Sequence, residues 1–321
     1  MRFFLCMVVS LFLPVLQLCA ADDLPQLEEV RVRSTADRSM QPAVVYLPEK
    51  IERPVPLLVV LHTWSGNYRQ KGFVDTGLAE CRRRGWALAH PDFRGPNRRP
   101  EACASAAAKQ DVLDAVDYVK HRIDVDPQRI YLVGASGGGH MALVMAAAAP
   151  KLWASVSAWV PISDLAAWHA ECAKAGRRYS RDLEDVCGGA PGDSDAVDRQ
   201  YRLRSPLPVL ARAAGLAIDI NTGIDDGHTG SVPVSHSLRA FNVLADANAL
   251  PEKKLTAAQI DLMTTGRKIP KALAGKRIEE PGRKRRVLFR RQAGPARLTV
   301  FEGGHEGDMT AAIAWLADQS R

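Results

Sequence analysis

Residues 129–146 read RIYLVGASGGGHMALVMA, an apolar run that leads through a glycine-rich turn directly into a helical pattern. Within it Ser136 stands between Gly134 and Gly138, two positions away on either side. A serine on such a strand-to-helix turn is typical of a nucleophile elbow, which projects the hydroxyl above a parallel sheet. Glycine is needed at the flanking positions because Cβ atoms there would collide with neighbouring backbone. The stretch therefore predicts Ser136 as a nucleophile.

Two other loops combine a strand, a glycine turn and a helix, namely the dinucleotide-binding loop and the phosphate-binding loop. The dinucleotide fingerprint requires glycine where Ser136 stands. The phosphate loop requires Gly-Lys-Ser or Gly-Lys-Thr, whereas this chain has Gly138-Gly139-His140. The nucleophile elbow is favoured over both loops. Whether Ser136 is a nucleophile then depends on whether the chain supplies a histidine and a carboxylate as its partners.

The amino terminus has the pattern of an export signal. Residues 3–18 are almost wholly apolar and follow a single early Arg2. We predict a signal peptide over residues 1–21 and a secreted or periplasmic location. A stable membrane anchor is not expected, because it needs about 20 apolar residues and Pro14 and Gln17 interrupt this shorter run.

Cysteine usage follows from that prediction. Four cysteines lie after the signal, at Cys81, Cys103, Cys172 and Cys187. In an oxidising compartment an even set favours two disulfides, and proximity in sequence pairs Cys81 with Cys103 and Cys172 with Cys187. The alternative is four buried free thiols. No CxxC or HxxxH pair is present, so no metal site is predicted.

Length and charge indicate one large domain with a basic insertion. Residues 22–321 suit a single domain, and the formal net charge of the chain is +7. Residues 251–291 hold thirteen Lys and Arg against four Asp and Glu. Interleaved aromatic residues and a recognition helix are lacking there. We therefore expect a solvated insertion and no nucleic-acid partner, rather than a polyanion-binding patch.

Short apolar runs alternate with helical patterns along the rest of the chain. They predict an α/β fold with a mixed, mostly parallel sheet flanked by helices, which opens with an antiparallel strand pair. The predicted strands are residues 28–33, 42–47, 56–61, 86–89, 130–133, 154–160, 216–220 and 298–301. Residues 164–205 interrupt the alternation, and we interpret them as a cap-like insertion over the site or as a structural excursion away from it.

A serine nucleophile needs a histidine that accepts its proton and a carboxylate that orients the histidine. In hydrolases with an elbow the acid and then the histidine follow later strands. Asp226 follows the strand at residues 216–220, and His305 follows the last strand on a glycine loop. Asp225 competes with Asp226, which is favoured because it directly precedes a Gly-His-Thr-Gly turn.

The remaining candidates concern proton transfer and the oxyanion. His140 and His228 are alternatives to His305, and we interpret both as structural. For the oxyanion hole, the first donor is predicted to be the Gly137 N–H. The second should come from the loop after the strand at residues 56–61, where Trp64 N–H is preferred and Thr63 or Ser65 are alternatives. His62 is interpreted as structural.

Four segments together resemble the α/β-hydrolase fold, and within it the catalytic domain of the prolyl oligopeptidase family. They are residues 134–138, residues 150–156 with 161–164, residues 226–233 and residues 302–305. The likeness spans most of residues 44–316. It implies a serine-type peptidase domain that works without a metal or an organic cofactor.

The resemblance leaves the substrate open. Family peptidases normally carry a large amino-terminal β-propeller, whereas the first predicted strand here begins at Glu28, so we expect a stand-alone domain. An exported stand-alone domain is also similar to carboxylesterases of the acetyl xylan or feruloyl kind. We expect a small ester or peptide substrate. A non-catalytic polysaccharide-binding protein on a hydrolase scaffold is a further alternative, and the oligomeric state is not predicted.

Overall fold

The structure, a computed structural model, describes residues 27–49, 51 and 53–321. The predicted signal peptide at residues 1–21 lies outside them. The strands in this part of the chain are β1 Glu28–Arg33, β2 Met40–Tyr46, β3 Val55–Leu61, β4 Ala87–Pro91, β5 Val125–Ala135, β6 Ser155–Trp159, β7 Ala217–Gly223, β8 Val287–Ala293 and β9 Ala296–Phe301. The α-helices there are α1 Phe73–Arg84, α2 Ala106–Arg122, α3 Gly137–Ala148, α4 Leu165–Lys174, α5 Tyr179–Cys187, α6 Asp195–Arg204, α7 Ser235–Ala247, α8 Ala257–Thr264 and α9 Met309–Ala317.

The strands form one sheet in the order β1-β2-β4-β3-β5-β6-β7-β9-β8. The pairs from β4 through β3, β5, β6 and β7 to β9 are parallel, and the pairs β1/β2, β2/β4 and β8/β9 are antiparallel. The predicted mixed, mostly parallel sheet that opens with an antiparallel pair is confirmed. Its carboxyl edge gathers the ends of β5, β6, β7 and β9.

Both faces of the sheet are buried, which explains why the central strands are continuous apolar runs. In β3, Leu57, Val59 and Leu61 belong to one core cluster, which α2, α3 and α7 cover. The intervening Leu58 and Val60 belong to a second cluster, which α1 and α9 cover. Successive side chains of β3 thus point to opposite faces of the sheet and pack in two different hydrophobic clusters.

Two further segments add to this three-layer core, and residues 251–291 contribute Leu255, Met263 and Phe289 to the first cluster. Residues 164–205 form α4, α5 and α6, whose apolar faces build a third cluster around Trp168. Residues 251–291 include α8 and most of the edge strand β8. Many basic side chains of that segment are exposed, but Arg283 and Arg290 have side chains only 2% and 20% exposed.

The predicted disulfides are wrong: Cys81, Cys103, Cys172 and Cys187 are free and buried. Cys81 packs in the cluster under α1 and α9, whereas Cys103 packs with Trp64 in the cluster of the insertion. Proximity in sequence misled the pairing, because a disulfide needs a specific spatial geometry. Each cysteine instead fills apolar space as a small hydrophobic residue. Burial raises the pKa of Cys187 to about 11 and that of Cys172 to about 12.

Helices long and apolar enough to cross a membrane are not found among the described residues.

Candidate active site

Ser136 lies at the turn between β5 and α3, at the carboxyl edge of the sheet. Its backbone has φ 58° and ψ −119°, a conformation that costs a non-glycine residue about 1–3 kcal/mol. Two hydrogen bonds hold it: Ser136 N donates to Trp159 O at 2.9 Å, and His140 N donates to Ser136 O at 2.8 Å. The strand end and the first helical turn thus fix a strained backbone that presents the serine side chain at the sheet edge.

The flanking glycines are required by close backbone contacts. A Cβ on Gly134 would lie 2.3 Å from Gly138 O, and a Cβ on Gly138 would lie 2.4 Å from Leu61 O. Real Cβ atoms do not approach other atoms so closely, so alanine at either position would displace β3 or α3. The glycine spacing of the sequence therefore reflects how tightly α3 begins against the strands.

The three side chains predicted from chain order are in contact. His305 Nδ1 lies 2.7 Å from Asp226 Oδ2, and His305 Nε2 lies 2.8 Å from Ser136 Oγ. A carboxylate only accepts hydrogen bonds, so the proton of the neutral ring is on Nδ1 and Nε2 accepts from the hydroxyl. The geometry therefore gives the serine a base and gives the base an orienting carboxylate.

The Asp226 carboxylate is buried and fully engaged. Besides His305, it accepts hydrogen bonds through Oδ1 from Gly227 N at 2.9 Å and Val232 N at 3.1 Å. The neighbouring Asp225 carboxylate points elsewhere, 3.5 Å from the Arg267 guanidinium. Of the two aspartates considered from the sequence, the structure brings Asp226 to the histidine.

The two predicted oxyanion donors are neighbours. A Cβ on Gly137 would lie 2.4 Å from Trp64 N, so the backbones of the two residues are in close contact. Thr63 N–H, an alternative donor, is already taken by Gln70 Oε1 at 2.9 Å. Ser65 was the other alternative, and the contact with Gly137 favours Trp64 over it.

Two polar residues beside this loop were missed from the sequence. Gln70 fixes the loop because its Oε1 accepts from both the backbone N–H and the hydroxyl of Thr63. Asn97 donates its backbone N–H to Trp64 O at 2.8 Å, and its buried Nδ2 has no hydrogen-bond partner among the described residues. That Nδ2 lies 3.1 Å from the position a Cβ would take on Gly137. The sequence gives little indication that Asn97 lies near Gly137, since Asn97 follows a glycine-proline turn that is far from the elbow along the chain.

The other candidate histidines hold the scaffold. His140 Nε2 donates to Arg204 O at 2.7 Å, and His228 Nε2 donates to Thr264 O at 2.7 Å. Burial lowers the pKa of His140 and that of His62 to about 4. In the structure neither His140 nor His228 takes the place of His305 beside Ser136.

A second serine lies near a histidine and a carboxylate, but it has a structural geometry. Ser163 Oγ donates to the His236 backbone oxygen at 2.8 Å, while Ser163 N donates to His236 Nδ1 at 3.1 Å. His236 Nε2 lies 2.9 Å from Glu171 Oε2. Because the histidine nitrogen is taken by a backbone N–H and Ser163 is fully buried, this hydroxyl is neither activated nor accessible.

Ser136 and His305 line a cavity of about 420 Å³. Its lining residues are Thr63, Gly72, Phe73, Thr76, Ala135, Ser136, Val160, Lys284, His305, Glu306, Gly307 and Met309. The wall combines side chains from α1 and α9 with the loop of His305. Its volume lies within the range of about 300–1,000 Å³ that is typical of small-molecule pockets.

Residues 164–205 contact the loops of the site and contribute none of the residues that line this cavity. Trp64 Nε1 donates to Asp182 Oδ2 at 3.1 Å, and Trp168 Nε1 donates to Ser231 O at 2.8 Å. The first contact braces the loop of the predicted oxyanion donor, and the second braces the loop that carries Asp226. The insertion thus supports the site from one side.

Comparison with known proteins agrees with this fold. The family model BD-FAE, of the α/β-hydrolase type, matches residues 44–169, which include Trp64 and Ser136. No curated protein matches the chain.

Solved structures match nearly the whole chain. An acylaminoacyl peptidase from Pyrococcus horikoshii is 16% identical with a TM-score of 0.61, over 91% of this chain and 40% of that one. An acylaminoacyl peptidase in complex with Z-Gly-Gly-Phe-chloromethyl ketone gives the same values. A puromycin-hydrolyzing peptidase from Mycobacterium tuberculosis is 18% identical with a TM-score of 0.61, over 94% and 39%.

The chain spans about 40% of the length of these peptidases. At these identities the likeness shows the shared fold. The α/β-hydrolase fold predicted from the sequence is confirmed, and so is its structural similarity to peptidases related to the prolyl oligopeptidase family.

Proposed function

We propose that this protein is a serine hydrolase that cleaves an ester or peptide bond through an acyl-enzyme. The observation that carries the proposal is the continuous contact from Asp226 through His305 to Ser136, with distances of 2.7 and 2.8 Å. The chain of contacts ends at a cavity large enough for a small substrate. Catalytic triads are recognised by this geometry and not by sequence position.

In the first step Ser136 Oγ attacks the carbonyl carbon while its proton moves to His305 Nε2. Asp226 holds the ring in the required tautomer and stabilises the imidazolium that forms. The carbonyl oxygen becomes an oxyanion, which the N–H groups of Gly137 and Trp64 would bind. Each such donor contributes about 3 kcal/mol to transition-state stabilisation.

Collapse of the tetrahedral intermediate breaks the bond to the leaving group, which takes the proton from His305. Water then attacks the acyl-enzyme, gives its proton to His305 Nε2, and releases the acid with regeneration of Ser136. All protons are accounted for by the histidine and the water. The proposed reaction therefore uses water and five residues of the chain, which are Trp64, Ser136, Gly137, Asp226 and His305.

Peptide-bond cleavage is supported by the three structural neighbours described above, which are peptidases. Ester cleavage, as in acetyl xylan or feruloyl esterases, is the second candidate, because the same constellation attacks the more reactive ester carbonyl. We also propose export to the periplasm or the medium, on the basis of the apolar residues 3–18.

Labelling with a fluorophosphonate tests the nucleophile. The folded protein should be labelled on Ser136, and Ser136→Ala should lose both labelling and turnover of p-nitrophenyl acetate. Ser163→Ala is the matched control and should retain labelling, because Ser163 Oγ is bonded to a backbone oxygen. Turnover of a peptide p-nitroanilide beside the ester separates peptidase from esterase.

Absence of labelling in folded parent protein, or labelling that survives Ser136→Ala, would overturn the proposed mechanism. Polysaccharide binding that persists in Ser136→Ala, with no turnover by the parent, would favour a non-catalytic role.

A further inference from the structure

Lys284 places a basic residue on the wall of the active-site cavity. The residue lines the same cavity as Ser136 and His305, and its backbone N–H donates to Asp308 Oδ2 at 2.8 Å. That hydrogen bond ties the segment before β8 to the start of α9. The Lys284 ammonium makes no hydrogen bond or ion pair within the part of the chain that the structure describes. A free cation therefore stands beside the proposed reaction centre.

The acidic groups of the cavity do not compensate this charge. Glu306 lines the cavity, but its carboxylate lies 3.0 Å from Arg285 Nε. Asp226 keeps its negative charge beside the neutral His305, but it is buried and does not line the cavity. Lys284 and the Glu306–Arg285 pair together give the cavity wall about one positive charge. Such a site favours a ligand that carries one negative charge.

Arg283 extends the positive region behind the cavity. Its side chain is 2% exposed, and the guanidinium lies 5.0 Å from the centre of the Trp159 ring. Nη2 donates to Asn221 Oδ1 at 3.1 Å, and Nε lies 3.1 Å from Glu280 Oε2. Nη1 has no hydrogen-bond partner among the described residues. A buried donor without a partner is uncommon in folded proteins, because the group loses its hydrogen bonds to water without replacing them.

Three basic residues share one recess with two acidic ones. Arg283, Lys284 and Arg285 line a space of about 10 Å³ together with Asp308 and Glu306, and Lys284 and Glu306 also line the main cavity. That volume holds about one water-sized group, such as a single carboxylate oxygen. The one acidic partner of Arg283, Glu280, is also bound by Arg290. One carboxylate thus serves two guanidinium groups. With Glu306 and Asp308 included, three carboxylates face four basic side chains, those of Arg283, Lys284, Arg285 and Arg290.

We propose that Lys284, backed by Arg283, forms a carboxylate-binding subsite of the active-site cavity, so that the preferred substrate carries a carboxylate near the scissile bond. The proposal rests on the proposed hydrolase function. A carboxylate is favoured over a dianionic phosphate because the cavity wall carries about one positive charge and the recess holds about one oxygen atom.

Matched pairs of esters test the subsite on both sides of the scissile bond. The acyl pair is p-nitrophenyl hemiadipate and p-nitrophenyl hexanoate, and the leaving-group pair is 3-carboxyphenyl acetate and phenyl acetate. In the parent, kcat/KM for the acidic member of at least one pair should exceed that for the neutral member by about tenfold. The preference should weaken as salt is added.

Lys284→Met should abolish that preference mainly through KM, and Lys284→Glu should reverse it. The readout is the ratio within each pair, which cancels any general change in turnover, and the fold should persist because the hydrogen bond to Asp308 uses the Lys284 backbone. Lys276→Met, an exposed lysine of the same segment, is the matched control and should keep the parental ratios.

Equal ratios in the parent and Lys284→Met for both pairs would overturn the subsite while leaving hydrolysis intact. If the parent hydrolyses none of the four esters and resists fluorophosphonate, the proposed hydrolase function itself fails. The two failures are therefore distinguishable.

Discussion

At the residue scale, two adjacent aspartates have different surroundings. Asp226 is buried, receives two backbone N–H groups and contacts His305, while Asp225 lies beside an arginine at the surface. We expect Asp226→Asn to lower kcat by about 10⁴, since an amide no longer selects the required histidine tautomer. Asp225→Asn should keep nearly parental kcat. Comparable losses in both variants, measured by steady-state ester hydrolysis, would contradict the assigned roles.

Gly137 offers a second test at this scale. Alanine there would place Cβ 2.4 Å from Trp64 N, so one of the two predicted oxyanion donors has to move. Gly137→Ala should therefore lower kcat by about 10²–10³ with little change in KM. Gly275→Ala is the control, because a Cβ at that position has open space. A Gly137→Ala enzyme with normal kcat would remove Trp64 and Gly137 from the oxyanion site.

At the scale of elements, α5 supports the loop after β3. Asp182 is buried on α5 and accepts the Trp64 indole N–H at 3.1 Å. Asp182→Ala leaves that donor unpaired, so the free energy of unfolding should fall by about 1–3 kcal/mol. Displacement of the Trp64 backbone should also lower kcat by about tenfold.

Asp182→Asn is the informative companion, because its amide oxygen can still accept the indole hydrogen bond. It should recover most of both losses in urea unfolding and ester hydrolysis. If Asp182→Ala reduces stability but leaves kcat unchanged, the insertion supports the fold without positioning the oxyanion loop.

The strands that could be predicted are those buried on both faces. Residues 56–61 and 130–133 are continuous apolar runs because helices cover both sides of β3 and β5. The edge strand β8 was missed since Arg290 and Arg291 interrupt its apolar pattern, as charges often do at edges. The Gly294-Pro295 turn between β8 and β9 was an available hairpin signal.

The candidate site divides in the same way. Ser136 directly follows β5, and Asp226 and His305 lie in the loops after β7 and β9, so the sheet topology places them together once the strands are recognised. Lys284 and Asn97 lie in loops whose position depends on packing between distant segments. Their sequence neighbourhoods carry no period or spacing that would indicate such a position.

At the scale of the whole molecule, the four cysteines give a prediction about redox state. Burial raises the pKa of Cys103 to about 12, and the thiolate is the reactive form. In the chain without residues 1–21, the native protein should react slowly with a thiol reagent. The denatured, unreduced protein should release four thiols, and reductant should not shift Tm. Fewer than four thiols, together with disulfide-linked peptides in a non-reducing digest, would show that the cysteines form disulfides.

Stability against pH follows from three buried histidines whose pKa is lowered by burial. Burial lowers the pKa of His62, His90 and His140 to about 4. In the unfolded chain their pKa is near 6.5, so between pH 6.5 and 4 the unfolded state binds more protons than the folded state. The free energy of unfolding should therefore fall as the pH falls through this window. His140, whose Nε2 alone has a hydrogen-bond partner among the described residues, contributes about 2 kcal/mol of this loss between pH 7 and pH 5.

A single substitution isolates one of these contributions. His140→Gln can keep the hydrogen bond to Arg204 O but removes a proton-binding group, so its urea-derived unfolding free energy should decline less steeply with falling pH. The slope should differ from the parent by nearly one proton near pH 5. His121→Gln, at an exposed position on α2, should leave the slope unchanged. Equal slopes in His140→Gln and the parent would show that His140 does not couple folding to protonation. The acid sensitivity would then have to come from groups that both proteins share, such as His62 and His90.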